Sequence, residues 1–174
     1  MFKIILIVVG AAIAVVLAYA ATKPDTFRVE RSALVKAPPE KVHALINDMH
    51  AFNTWNPWAK KDPAMKGNYS GPTSGNGSGY AWESDKVGTG SMEIIDTAAP
   101  SSVKLKLDFL KPFEAHNFAD FTLTPESDAT RVVWSMHGPA PYFSKLMQVF
   151  MSMDKMVGKD FEEGLATLKH IAES

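Results

Sequence analysis

Few residues of the 174 have the type and spacing that would do chemistry. The five histidines, His43, His50, His116, His137 and His170, are scattered. No two stand four apart and no His-Glu-x-x-His occurs, so the pattern that sets two imidazoles on one helix face around zinc is missing. The chain has no cysteine, which excludes disulfides, thiol nucleophiles and thiolate metal ligands. There is no Gly-x-Ser-x-Gly elbow for a hydrolase serine. The glycine run Gly75-Asn76-Gly77-Ser78-Gly79 has the wrong spacing for a dinucleotide fingerprint, and no helix follows it to receive a phosphate. The sequence therefore predicts no metal and no cofactor. Acid–base catalysis would need a carboxylate or imidazole in a dry cavity, where burial shifts its pKa. Glu83, Asp96, His116 and Asp120 are the strand candidates, but alternation turns Glu83, His116 and Asp120 away from the apolar face, toward water. No catalytic residue is assigned.

Aromatic and thioether side chains are better placed. Trp55 and Trp58 flank Pro57. Tyr80, Trp82, Met92, Asn117, Trp134 and Met136 fall on inward positions of strands, and Phe150 and Met153 fall on an apolar helix stripe. These ten residues are the candidate lining of a cavity for an apolar ligand. Asn117 is the one amide among them, sharing the face of Phe121. It would either fix a ligand carbonyl or hydroxyl or be a core amide bonded to backbone.

The elements that must position them follow from periodicity. Phe27 to Lys36 alternates, with Val29, Arg31, Ala33 and Val35 on one face. Ala37-Pro38-Pro39-Glu40 ends that strand and opens a helix, with proline near its first turn. A second short helix or turn covers Met49 to Trp58. Met65 to Ser70 is a short edge strand, and Gly71 to Gly79 a loop. Strands then succeed one another at Gly79 to Asp85, Gly90 to Thr97, Ser102 to Phe109, Glu114 to Pro125 and Arg131 to His137. Short turns between them imply an antiparallel meander. From Tyr142 to Glu173, apolar residues at Phe143, Leu146, Met147, Phe150, Met153, Val157, Phe161, Leu165, Leu168 and Ile171 recur every three or four positions. That predicts one amphipathic helix of roughly 30 residues, about 45 Å long, lying in a concave sheet. Gly164 sits beside its apolar stripe, which predicts a close approach there with no space for a Cβ.

Ile4 to Ala21 is an uncharged apolar run of about 18 residues, at the lower edge of what spans a bilayer. It predicts an N-terminal membrane anchor over residues 1–22, ahead of a domain over 23–174. The alternative is a signal peptide, because Ala18-Tyr19-Ala20 fits a cleavage site. Lys3 stands on one side of the run and Lys23, Arg28 and Arg31 on the other, so the charges do not fix its orientation; either kind of segment is usually exported in bacteria. The expected location is the bacterial inner membrane with the domain on the periplasmic side, or secretion if the segment is cleaved. A formal net charge of −1 gives no field to recruit nucleic acid.

Three stretches carry a family resemblance. Val35-Lys36-Ala37-Pro38-Pro39-Glu40-Lys41-Val42, Trp55-Asn56-Pro57-Trp58 and Met153 to Leu165, in that order, resemble the START-like helix-grip superfamily, also called SRPBCC. They are most similar to its bacterial polyketide cyclase/dehydrase branch. The resemblance covers about residues 27–172. It implies an α+β helix-grip fold, a curved antiparallel sheet of six or seven strands around the C-terminal helix, and small hydrophobic ligands. Fold alone fixes no reaction. The reading is a membrane-tethered module that binds a lipid-like or aromatic ligand. The alternatives are a metal-free cyclase, dehydratase or hydrolase using a cavity acid or base, and an interaction domain with a filled core.

Overall fold

The structure is a computed structural model that describes residues 2–174. Helix α1, Phe2–Ala21, stands apart from a seven-stranded antiparallel sheet in the order β1-β7-β6-β5-β4-β3-β2. The strands are β1 (Thr26–Val35), β2 (Lys66–Ser70), β3 (Gly79–Ser84), β4 (Gly88–Ala98), β5 (Ser102–Lys111), β6 (Ala115–Glu126) and β7 (Ala129–Pro139). Between β1 and β2 lie α2 (Pro39–Asn47) and α3 (Met49–Trp55), then a single 3₁₀ turn at Trp58–Lys60. The C-terminal region holds α4 (Tyr142–Phe150) and α5 (Met153–Glu173). This is the helix-grip arrangement, with α5 resting on β1 and packing beside α2 and α3.

The strand registers order the gripping face into rows. Val103, Phe121, Trp134 and Arg31 lie side by side across β5, β6, β7 and β1. One step along the strands, Ile94, Leu105, Ala119, Met136 and Val29 form the next row. All five of these are buried. Alternation of inward apolar and outward polar residues, as the sequence predicts, fixes this register, because a slip of one residue would turn every such row to solvent.

At the centre, Phe161 of α5 stacks flat on Trp134 of β7, with ring centroids 4.0 Å apart and planes 5° from parallel. Trp55 meets Trp134 edge-on at 5.6 Å, and Phe121 stacks on it at 5.1 Å with planes 27° apart. The approach requires a glycine. A Cβ on Gly164 would fall 2.8 Å from the Trp134 ring and 3.1 Å from Pro57. The close contact expected at Gly164 is thus present, and its partners are named.

Two expectations need correction. The C-terminal helix is not continuous: α4 ends at Phe150, Met151 is extended, and Ser152 caps α5 by accepting from the Lys155 amide. Serine before an acidic first turn favours a fresh helix start here. The three-and-four spacing runs unbroken across the gap, so periodicity alone concealed it. In consequence α4 does not face the sheet. It packs on α1, leaving Phe143, Met147 and Phe150 exposed and burying Lys145, a residue of the supposed solvent face.

Three substitutions test the packing. Leu105→Ala should cost about 2–5 kcal/mol in chemical denaturation, as core truncations do. Lys104→Ala, on the opposite face, should cost about 0.5 kcal/mol or less. Gly164→Ala should lower the melting temperature although alanine is the better helix former, because the new methyl must displace Trp134 or Pro57. A rise on that change would contradict the close approach.

Candidate functional site

The apolar gripping face is sealed at one end and open at the other. At the sealed end Trp55, Phe121, Trp134 and Phe161 are almost wholly removed from solvent. Trp55 is anchored by its indole N–H, which donates to the Leu45 carbonyl at 2.9 Å. It plugs the core instead of walling a pocket mouth, and its neighbour Trp58 is only partly buried, edge-on to both Trp134 and Phe161.

At the open end the side chains are half-buried: Trp82, Leu107, Phe109, Met153, Val157 and Phe27. The registers set Tyr80, Met92, Leu107, Asn117, Gly138 and Phe27 in one cross-strand row, with Trp82, Gly90 and Phe109 in the next. Small residues shape this strip. The Trp82 ring lies over Gly90, where a Cβ would fall 2.6 Å from it, and the Asn117 amide lies over Gly138, where a Cβ would fall 2.1 Å from its Oδ1. The edge of Trp82 meets Phe109 with centroids 5.9 Å apart. The Trp82 indole N–H is buried without a hydrogen-bond partner among the described residues. A buried donor left unpaired costs about 1–3 kcal/mol. Beside Phe27 and Gly138 an open cleft of about 460 Å³ is completed by Thr26, Arg28 and His137.

The ten candidate residues therefore separate. Tyr80, Trp82, Met92, Asn117 and Met136 share adjoining rows on the gripping face, and Met153 and Trp58 are half-buried against the core. Trp55 and Trp134 lie in the filled centre. Phe150 lies outside the set, 74% exposed on α4, because the helix break turns it away from the sheet. Leu107, Phe109 and Val157 join the strip. Leu107 and Phe109 alternate with Lys106 and Asp108 along the strand expected at Ser102 to Phe109, so their inward face follows from the pattern; what the sequence does not carry is which end of the face is left uncovered.

Charge is concentrated at the border of α5. Arg31 projects from β1 to Asp154, with Nη1 to Oδ1 at 2.7 Å, and to Glu162, with Nε to Oε1 at 2.7 Å. Hydrogen bonds to both carboxylates raise its pKa, and the same guanidinium lowers that of Asp154. Gly158 makes room, since a Cβ there would fall 2.3 Å from Nη2. At the β3 rim, buried Asp62 accepts from Ser84 Oγ at 2.7 Å and from the Ala64 amide at 3.1 Å. The Ser84 hydroxyl lowers its pKa first, so it is held ionised, the opposite of what a general acid needs. His116 is turned away from the apolar face, as alternation predicts. Its Nδ1 lies 2.6 Å from Asp108, which raises its pKa, with Glu114 adding to the effect.

A family model described as "Polyketide cyclase / dehydrase and lipid transport" matches residues 26–173. The chain belongs to that family. Membership agrees with a ligand-binding SRPBCC domain over the sheet and α5. No curated protein matches. Among solved structures this family member is similar to protein CV1439 from Chromobacterium violaceum, at 14% identity and TM-score 0.59, covering 87% of this chain and 99% of that one. It is similar to Ms6760 from Mycobacterium smegmatis, at 17% identity and TM-score 0.59, over 86% and 92%. It is also similar to the Aha1 dimer from Colwellia psychrerythraea, at 16% identity and TM-score 0.59, over 84% and 96%. At such identities these likenesses show the fold alone.

The titratable groups give a pH prediction. His43 of α2 is buried, its Nε2 3.0 Å from Thr97 Oγ1, and burial pushes its pKa below the ordinary value of about 6.5. The unfolded chain then takes up a proton before the folded one does. The contribution of His43 is fully present above about pH 6.5 and is lost as pH falls through that value toward the folded pKa. His43→Gln should make stability, measured by urea denaturation, fall less steeply on acidification across this window. An unchanged slope would contradict the assignment. His116, shifted upward, contributes the opposite slope in both proteins and cancels from the comparison.

Proposed function

We propose that the protein is a membrane-tethered binding module for a small hydrophobic ligand, lipid-like or aromatic, carried in the open strip between the sheet and α5. The observation that supports this most directly is the set of half-buried apolar side chains on the sheet beside the buried amide of Asn117, Leu107 in its own row and Trp82 and Phe109 in the next, with half-buried Met153 and Val157 on the first turns of α5. Ligand sites combine apolar walls with a few fixed polar groups. Here the polar groups are Asn117 and the unpaired N–H of Trp82. A ligand that takes this shape is mainly apolar, with an acceptor at one end. The family description, which includes lipid transport, agrees with that chemistry.

The tether is α1, a 20-residue helix of mean hydropathy 2.9 with only 6% of its apolar window buried. At 1.5 Å per residue it is about 30 Å long, the thickness of a bilayer's hydrocarbon core. We place the domain on the periplasmic face of the bacterial inner membrane. A cyclase or dehydratase would draw less support, because the half-buried strip is lined by indole, phenyl, thioether and amide groups, and the carboxylate at its rim, Asp62, has both oxygens taken by the Ser84 hydroxyl and the Ala64 amide.

Tryptophan emission tests the reading. Titration of the protein with fatty acids, isoprenoids and polycyclic aromatics should quench or shift the emission saturably with at least one class. Trp82→Phe should remove most of that response. Leu107→Trp should abolish binding by filling the strip, while unfolding stays cooperative. No saturable change with any class would count against a ligand site.

A further inference from the structure

Helix α4 leaves a second apolar surface that the ligand strip does not use. Its underside is fixed to the end of α1: the Tyr142 hydroxyl donates to the Leu17 carbonyl at 2.9 Å, Lys145 pairs with Asp25, and Ala20 is fully buried. Its outer side presents Phe143, Met147 and Phe150 to solvent, and Met151 continues the surface. Phe113, from the β5–β6 turn, joins it with its ring 5.4 Å from that of Phe143, and Leu110 of the same turn region is also exposed. Three large apolar side chains on one side of α4, with Phe113 against them, call for a partner.

The level at which they sit says what covers them. Tyr19 closes the apolar run of α1, and Lys23 lies over its ring, Nζ 4.6 Å from the centroid, while donating to its hydroxyl. A tyrosine with a lysine reaching past it is the arrangement found at the boundary of lipid and water. Tyr142 reaches Leu17, two residues from Tyr19, so α4 begins at that same boundary. A short helix there, with phenylalanine and methionine on one side, suits the layer between headgroups and acyl chains. We propose that α4 and the β5–β6 turn dock on the bilayer that α1 crosses, as an interfacial helix and a wedge. The occupant of this surface is lipid. Met153 of the ligand strip follows Met151 of the docked surface by two residues, so docking holds that end of the strip toward the membrane. This inference rests on reading α1 as a tether.

The absence of cysteine makes the test clean. Single variants Phe150→Cys, Phe113→Cys and Lys104→Cys of the full chain are spin-labelled and reconstituted in phosphatidylcholine–phosphatidylglycerol vesicles. Collision with oxygen, which concentrates in lipid, is compared with collision with a water-soluble nickel chelate. Labels at 150 and 113 should favour oxygen several-fold more than the label at 104, which stands on the polar side of β5. If the chain floats with the vesicles while 150 and 113 are as wet as 104, docking is overturned and the tether stands. If the chain does not float, both fall. If 150 is shielded but shows label-to-label broadening that vanishes on dilution with unlabelled chain, a second copy covers the surface, and the lipid assignment is overturned.

Discussion

The flat stack of Phe161 on Trp134 is the contact on which the rest of the structure depends. It brings α5 against β7 so closely that only a glycine fits at position 164, and it recruits Trp55, Phe121 and Trp58 around the same indole. Offset and edge-on aromatic pairs of this kind contribute about 0.5–1.5 kcal/mol each beyond the area they bury. The cluster fixes where the helix crosses the sheet. It also decides how much of the gripping face α5 can cover. The rows around Trp134 are sealed; in the Asn117 row Leu107 and Phe27 are already half-buried, and in the next row so are Trp82 and Phe109.

The charged border supports the same crossing. Arg31 occupies the β1 position in the Trp134 row and bridges two carboxylates of α5, one of them in the first turn, where a negative charge also suits the helix dipole. Asp154 and Glu162 are well exposed, so the pairs fix register more than they add stability. Gly158 and Gly164, which weaken an isolated helix, each open a contact that holds α5 in place: a guanidinium at one, an indole at the other.

Much of this was legible in the sequence. Strand alternation set the face of Phe121, Trp134 and Asn117, the Pro38-Pro39 pair marked the start of α2, and the stripe from Phe161 to Ile171 marked α5. Gly164 beside that stripe pointed to the close contact. Four features were not legible. The break at Met151–Ser152 keeps the helical spacing, so the pattern showed one helix where there are two. The expected place of Phe150 against the sheet rested on that continuity, since an exposed apolar residue and a core one on a helix have the same spacing. The partition of the aromatic set into a filled centre and an open strip depends on where α5 ends over the sheet, a tertiary fact that no local pattern carries. Gly158 had a readable cost but no readable cause, because its partner Arg31 lies 127 residues away in the chain.

Whether the open strip holds a ligand is the point on which the proposed function turns. Native mass spectrometry of the full chain, released from mild detergent after purification from membranes, measures this most directly. A ligand in the strip predicts a peak one small apolar molecule heavier than the chain, removable by activation and absent from Leu107→Trp. A single peak at the mass of the bare chain, unchanged after incubation with a lipid extract, would contradict it.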